Sequence, residues 1–255
     1  MNRITSKLKE SKKLLSIYFT AGFPKLEDTV EIIKRLQDAG VDMVEIGLPY
    51  SDPLADGPTI QQSSTKALKN GMSTRKLFEQ IKDIRDHIDI PLIIMGYFNP
   101  MLQYGVRQFC HDVSEIGIDG LIMPDLPYDY WLEYHKKDYD DFNLKHIQLI
   151  TPQTSEERIK NIDQQSKDAF IYMVSSSSTT GSQSGFAEEQ LNYFDKIASY
   201  NLDSPQIVGF GIKDNITFHQ ATKHAKGAII GSAFIKALEN KGVNGIEDFV
   251  KSIRA

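Results

Sequence analysis

The feature that most limits what this chain can fold into is a recurrence. Eight short, β-rich apolar runs alternate with amphipathic stretches: Leu15–Thr20, Met43–Ile46, Leu92–Met95, Gly120–Met123, His146–Leu149, Phe170–Val174, Ile207–Gly209 and Ala228–Ile230. Runs that are apolar throughout suit strands buried on both faces, and a helix after each strand is the crossover that a parallel sheet requires. The stretch Glu27–Ala39 places Val30, Ile33 and Leu36 at near-helical spacing, and Ser155 precedes Glu156 and Glu157 as an N-cap precedes a first turn. Gly40, Gly117 and Gly227 each stand between a helical stretch and the next strand, which predicts left-handed helix C-caps there.

Eight such units without a dividing linker predict an α/β fold, a single (β/α)8 TIM barrel with extra helices that spans residues 1–255 as one domain. The length of 255 residues suits a barrel of this kind. An open, doubly wound sheet is the alternative, and no GxGxxG follows the first run to favour it.

Composition narrows the function classes. The formal charge is −5, and the densest basic cluster, Lys7 to Lys13, is interrupted by Glu10, so no nucleic-acid footprint is expected. Cys110 is the single cysteine, which excludes a disulfide framework and a thiolate metal cage and suits a reducing cytosol. The first residues lack the apolar region of a signal peptide. No run approaches the ~20 residues that a membrane helix needs. The expectation is a soluble, cytoplasmic protein with no membrane partner.

In a barrel, chemistry gathers where strands end and βα loops begin. The second run ends at Glu45 and opens into Ile46-Gly47-Leu48-Pro49-Tyr50-Ser51-Asp52-Pro53-Leu54-Ala55-Asp56-Gly57-Pro58. A carboxyl at Glu45 points into the barrel mouth or into the helix layer. Either place is partly dry, and dryness favours the protonated form and moves the pKa toward the range useful for proton transfer. Asp56 sits in a loop stiffened by three prolines, which lowers the entropy lost in holding a carboxylate in place; Asp56-Gly57 also reads as an ordinary turn pair.

Late in the chain, Gly209-Phe210-Gly211 and Gly231-Ser232 follow the last two runs, and Gly231-Ser232 opens a helix. Exposed N–H groups and a helix N-terminus at these loops predict a phosphate site and a small phosphorylated substrate. The segment Ser175 to Gly185 contains no apolar residue and reads as either a surface linker or a lid over ligand. Tyr172 offers a ring wall or simple packing. No lysine lies within the runs to form a Schiff base, Lys213 reads as the start of a helix, and the six histidines lack metal-ligand spacing. Acid–base catalysis by carboxylates, with no metal, is what remains.

The segment from Glu45 to Gln61 closely resembles the signature of the tryptophan synthase alpha-subunit family. The resemblance extends to Tyr18-Phe19-Thr20-Ala21-Gly22, Asp125-Leu126-Pro127, Gly209-Phe210-Gly211-Ile212 and Gly231-Ser232-Ala233. It implies a lyase of tryptophan biosynthesis that cleaves indole-3-glycerol phosphate into indole and glyceraldehyde 3-phosphate. It implies that Glu45 is the acid–base carboxylate and that Asp56 accepts the indole N–H. Tyr18, Tyr97, Tyr172, Thr180, Gly181, Phe210, Gly211, Gly231 and Ser232 are the implied substrate-binding residues.

By the same resemblance, Asp52, Pro53 and Asn99 meet a beta subunit in an alpha2-beta2 heterotetramer. Pyridoxal phosphate is expected in that partner and no cofactor in this chain. Many family members carry Ser-Arg-x-Gly-Val-Thr-Gly in the lid, where Ser175-Ser176-Ser177-Ser178-Thr179-Thr180-Gly181 stands here. A phosphosugar isomerase would share the phosphate glycines without the Asp56 loop. A non-catalytic regulator would keep the Asp52-Pro53 surface and cleave nothing.

Overall fold

The computed structural model describes residues 2–10, 12–175 and 185–255. Its strands are β1 (Leu14–Thr20), β2 (Met43–Gly47), β3 (Leu92–Met95), β4 (Gly120–Ile122), β5 (Lys145–His146), β6 (Gln148–Ile150), β7 (Ile171–Val174), β8 (Gln206–Gly209) and β9 (Gly227–Ile230). They form one parallel sheet in the order β5-β4-β3-β2-β1-β9-β8-β7-β6. The two ends of that order, β5 and β6, are separated in the chain by Ile147 alone. The sheet therefore returns to its starting point as an eight-fold barrel whose fifth strand is in two pieces.

Period-two alternation sorts the strand residues into two cores. Leu14, Met43, Ile93, Ile122, Ile147, Phe170, Ile207 and Ile229 fill the barrel interior. Leu15, Ile17, Val44, Ile46, Leu92, Ile94, Leu121, Ile171, Val208 and Ile230 pack outward, in one cluster with helix residues such as Ile32, Ile33 and Leu36. Most strand residues are buried on both faces, which explains why the runs are largely apolar.

The helical expectations hold within a residue. One helix runs Asp28–Asp38, and another runs Glu156–Gln165 with the Ser155 hydroxyl accepting from the Arg158 N–H at 3.3 Å. Gly40 and Gly117 follow their helices with φ of +87° and +90°. Gly227 departs from expectation. The helix Asn215–His224 ends earlier, at Ala225, and Gly227 is the first residue of β9, where a Cβ would come 2.5 Å from the Leu14 carbonyl oxygen. Glycine is needed there for close strand approach, not for a left-handed turn. Lys213 likewise lies in the loop before the Asp214 N-cap instead of starting the helix.

The N-terminal end of the barrel is closed by a short helix, Arg3–Leu8. Asn2 caps it through the Ile4 N–H at 2.9 Å and donates to the carbonyls of Asp119 and Asn143 at 2.8 and 3.1 Å. Ile4 inserts fully into the inner core. The basic residues that follow are neutralised locally: Lys7 pairs with Glu10 at 2.7 Å and Lys12 with Asp42 at 2.6 Å. The opposite end, where β2, β3, β8 and β9 release their loops, stays open. None of the described helices is long and apolar enough to cross a membrane.

Candidate active site

Alternation along β2 decides where Glu45 points. Met43 lies in the inner core, so Glu45, two residues on, also faces the interior, level with Tyr18 on β1 and Ile93 on β3. Its carboxyl is fully buried. Oε1 accepts from the Ser16 hydroxyl at 3.0 Å, and Oε2 has no partner among the described residues. Burial pushes the pKa of Glu45 up to about 8 against the opposing pull of the Ser16 hydrogen bond.

Asp56 reaches the same region from the β2 loop. Gly57 is the N-cap of the helix Pro58–Lys69, with Pro58 at its first position, so the loop is anchored immediately after Asp56. The Tyr97 hydroxyl donates to Asp56 Oδ2 at 3.2 Å and accepts from the Ala55 N–H at 2.9 Å. Partial burial raises the Asp56 pKa to about 6, and the Tyr97 hydrogen bond holds it from rising further. The two carboxyl groups are thus poised on opposite sides of neutrality.

A cavity of about 490 Å³ opens at this end of the barrel, lined by Tyr18, Asp56, Ile60, Met95, Tyr172, Phe186 and Phe210 among others. Its volume and mixed lining suit an aromatic ligand with a polar tail. Glu45 lies under this lining rather than in it; its charge acts on the phenols of Tyr18 and Tyr172, both raised above their ordinary pKa chiefly by burial. Both rings are seated on glycine: a Cβ on Gly47 would overlap the Tyr18 hydroxyl, and one on Gly209 the Tyr172 hydroxyl.

The far side of the cavity gathers glycines, a helix N-terminus and two lysines. Gly211, Ile212, Gly231 and Ser232 line it. Phe210 and Gly211 are consecutive residues with φ of +68° and +78°, an unusual conformation for a bulky aromatic. The Ser175 hydroxyl donates to the Phe210 carbonyl at 2.7 Å and helps to hold this turn. Gly231 caps the helix Ser232–Lys241, whose first N–H groups precede the intrahelical ladder. Lys213 and Lys236 line the cavity beside them. Among the described residues, no group of three or more His, Cys, Asp and Glu side chains is placed to hold a metal ion.

Thr180 and Gly181, with positions 176–184, lie outside the described residues. Asp52 and Asn99 are exposed on the rim and Pro53 is half-buried there. Asn99 donates to the Tyr50 hydroxyl at 3.4 Å, and Tyr50 stacks on Tyr97 with centroids 5.1 Å apart. Rim and Asp56 loop are therefore one connected aromatic–carboxylate array. Leu54, between Asp52 and Asp56, is 90% exposed.

A family model described as tryptophan synthase alpha chain matches residues 4–254. The chain belongs to the tryptophan synthase alpha-chain family. Curated alpha chains from Flavobacterium johnsoniae and Christiangramia forsetii are 63% and 62% identical to it, each covering 100% of this chain and 100% and 99% of their own lengths. Among solved structures, the tryptophan synthase alpha subunit of Legionella pneumophila superposes with a TM-score of 0.88 at 31% identity, covering 100% of this chain and 97% of that one. A chain of tryptophan synthase from M. tuberculosis, in its aminoacrylate-bound form, gives 0.84 at 26% identity, with 99% and 98% covered. The barrel expected from the sequence is thus the fold of the family.

Three participants in this alpha-chain site escaped the sequence reading. Ser16 lies two residues before Tyr18 on an alternating strand, so its inward face was legible once the register was known. Lys236 lies four residues beyond Ser232, one helical turn along the same face. Phe186 follows the serine-rich segment Ser175 to Gly185 and left no local signal.

Proposed function

We infer that this chain cleaves indole-3-glycerol phosphate into indole and glyceraldehyde 3-phosphate, as its family membership implies, with Glu45 and Asp56 as the working carboxylates. The observation that carries the residue assignment is their divergent environment. One carboxyl, buried and raised to about 8, holds a proton at neutral pH, and the other, at about 6, has lost it.

That division matches the chemistry. An aryl carbanion is a poor leaving group, so Glu45 first gives its proton to indole C3. Positive charge then develops across the ring to N1, whose N–H donates to the Asp56 carboxylate and is stabilised by it. Glu45, now a carboxylate, takes the proton of the side-chain hydroxyl next to the ring. The carbon–carbon bond breaks, its electron pair restores the indole, and the hydroxyl carbon becomes the aldehyde of glyceraldehyde 3-phosphate. Glu45 ends protonated, as it began.

In this reading the phosphate rests on the N–H groups around Gly211, Gly231 and Ser232, and Tyr18, Tyr97, Tyr172 and Phe210 bound the ring's space. Thr180 and Gly181 are further substrate-binding residues in this reading, as the family resemblance implies. The chain works as one domain in the cytoplasm with no cofactor of its own. Asp52, Pro53 and Asn99 meet a beta subunit that carries pyridoxal phosphate, in an alpha2-beta2 assembly. The exposed Leu54 on that rim supports this reading, since an apolar side chain so placed gains by being covered.

Substitution tests the assignment. Glu45→Gln should abolish indole release while substrate still binds. Asp56→Asn should lower turnover by about 10²-fold or more with a smaller change in affinity, because the lost interaction grows toward the transition state. An active Glu45→Gln variant would overturn the reading.

A further inference from the structure

The interior layer around Glu45 is largely apolar, with Met43, Ile93, Ile122, Phe170, Ile207 and Ile229, and carries the phenols of Tyr18 and Tyr172 above it. On β1, Ser16 faces the same interior between Leu14 and Tyr18. Its side chain is fully buried, and its neighbours Leu15 and Ile17 face the helices. A hydroxyl in such a layer is retained only when it is bonded. Its hydrogen bond, at 3.0 Å, goes to Glu45 Oε1.

We propose that Ser16 is a positioning residue for the reaction, whose hydroxyl tethers one oxygen of the Glu45 carboxyl and leaves the other to carry the proton. The proposal rests on Glu45 being the acid–base group. Untethered, the two oxygens are equivalent and the group can rotate about its terminal bond. With Oε1 engaged by a donor, the proton is directed to Oε2, the oxygen without a partner among the described residues. Oε2 is itself buried in this structure, and in the proposed reaction it is the oxygen that meets indole C3 and then the side-chain hydroxyl.

The tether also acts on the proton affinity. A donor to a carboxylate favours the ionised form, so Ser16 restrains the rise that burial imposes on Glu45. The other ionisable groups that feel Glu45 are the phenol of Tyr18, on β1, and that of Tyr172, on β7. Both are raised above their ordinary value and neutral in the working range, so neither competes with Ser16 for this control. Asp56 acts on the same two phenols from the β2 loop.

Indole release should be measured against pH for Ser16→Ala and Ser16→Thr, in complex with a beta subunit. Glu45 must begin protonated, so activity falls as pH rises through its pKa. Ser16→Ala should move that alkaline limb upward by about one pH unit. It should lower kcat about tenfold, with KM changed less than twofold, because orientation and not binding is lost. Ser16→Thr, which keeps the hydroxyl, should restore the limb. A Ser16→Ala variant that is thermally weaker but keeps the alkaline limb and kcat of the parent would reduce Ser16 to packing and overturn the proposal. Glu45→Gln measured alongside separates the two readings. If it is active, the assignment of Glu45 fails; if it is dead and Ser16→Ala is unshifted, only the tether fails.

Discussion

The Tyr97 hydroxyl stands between the backbone and a carboxylate: it accepts from the Ala55 N–H at 2.9 Å and donates to Asp56 Oδ2 at 3.2 Å. Asp56, the proposed partner of the indole N–H, is thus positioned by a side chain from a different βα loop. Tyr97→Phe removes the donor, so the Asp56 pKa should climb above about 6. Asp56 works ionised, so the acid limb of the pH profile should move upward and turnover near pH 6 should fall. The substrate phosphate also titrates near ~6, but it does so identically with both proteins, so the shift between variant and parent isolates Asp56. A Tyr97→Phe profile superimposable on the parent would remove Tyr97 from the site.

Glu45 should cost the fold stability. Its pKa rises from 4.5 in the ordinary state to about 8 in the folded one. The favourable contribution of its neutral form is therefore complete below pH 4.5 and is lost as pH rises toward 8. By pH 7 the loss approaches about 3 kcal/mol as an upper bound. Glu45→Gln does not titrate, so its melting temperature relative to the parent should increase steadily between pH 4.5 and 8. A constant difference across that range would mean that Glu45 is ionised in the folded chain.

Gly47 and Gly209 set the width of the aromatic cavity. A methyl group at either position overlaps a tyrosine hydroxyl, so the ring must swing into the space meant for ligand. Gly47→Ala and Gly209→Ala should each raise KM about tenfold or more while leaving the barrel folded. Isothermal titration with an indole-bearing phosphonate would detect the loss, and unchanged affinity would show that the rings have another place to go.

Lys236 lines the cavity near the proposed phosphate site, from the helix that Gly231 caps. As an exposed cation it should act mainly on capture. Lys236→Met should raise KM for the phosphorylated substrate several-fold and flatten the salt dependence of kcat/KM, with kcat nearly unchanged. In the condensing direction, glyceraldehyde without phosphate should show no difference between variant and parent.

The exposed rim predicts partner-dependent behaviour. Asp52→Asn should leave slow cleavage by the isolated chain near normal but weaken its activation by a beta subunit. If Asp52→Asn were as inactive alone as Glu45→Gln, the separation of surface and catalytic carboxylates would be wrong.

The sequence disclosed the barrel because burial on both faces leaves mostly apolar runs, clear in β3 and β7 and weakest in β5, which is Lys145-His146. It disclosed Glu45 and Asp56 because a carboxyl at a strand end and another in a proline-stiffened loop are locally visible, and because the motif around them resembles a family. It concealed what depends on register. Ser16 matters only because β1 lies beside β2 with Ser16 opposite Met43, bringing the hydroxyl within reach of Glu45. Gly227 was misread because a glycine after a helix carries the same local signal whether it turns the chain or admits a neighbouring strand. The closure by Asn2 and Ile4 left no sequence signal, because it depends on Asn2 reaching the carbonyls of Asp119 and Asn143, far along the chain.

The interruption at Ile147 has a mechanical meaning. The Ile147 N–H still donates to the Leu121 carbonyl at 3.0 Å, but from Gln148 onward the chain pairs with β7. At that residue the strand passes from one neighbour to the other, so the ring has a seam, with β1–β5 on one side and β6–β9 on the other. The joint between β1 and β9 on the opposite side is continuous over four paired residues. A ring with one stitched joint and one thin one opens at the thin one, and amide exchange around Lys145–Ile150 should run ahead of that at Leu14–Ile17. Ser16 and Glu45 lie on β1 and β2, beside the stitched joint, so the proposed acid of the reaction is held in the part of the barrel that gives way last.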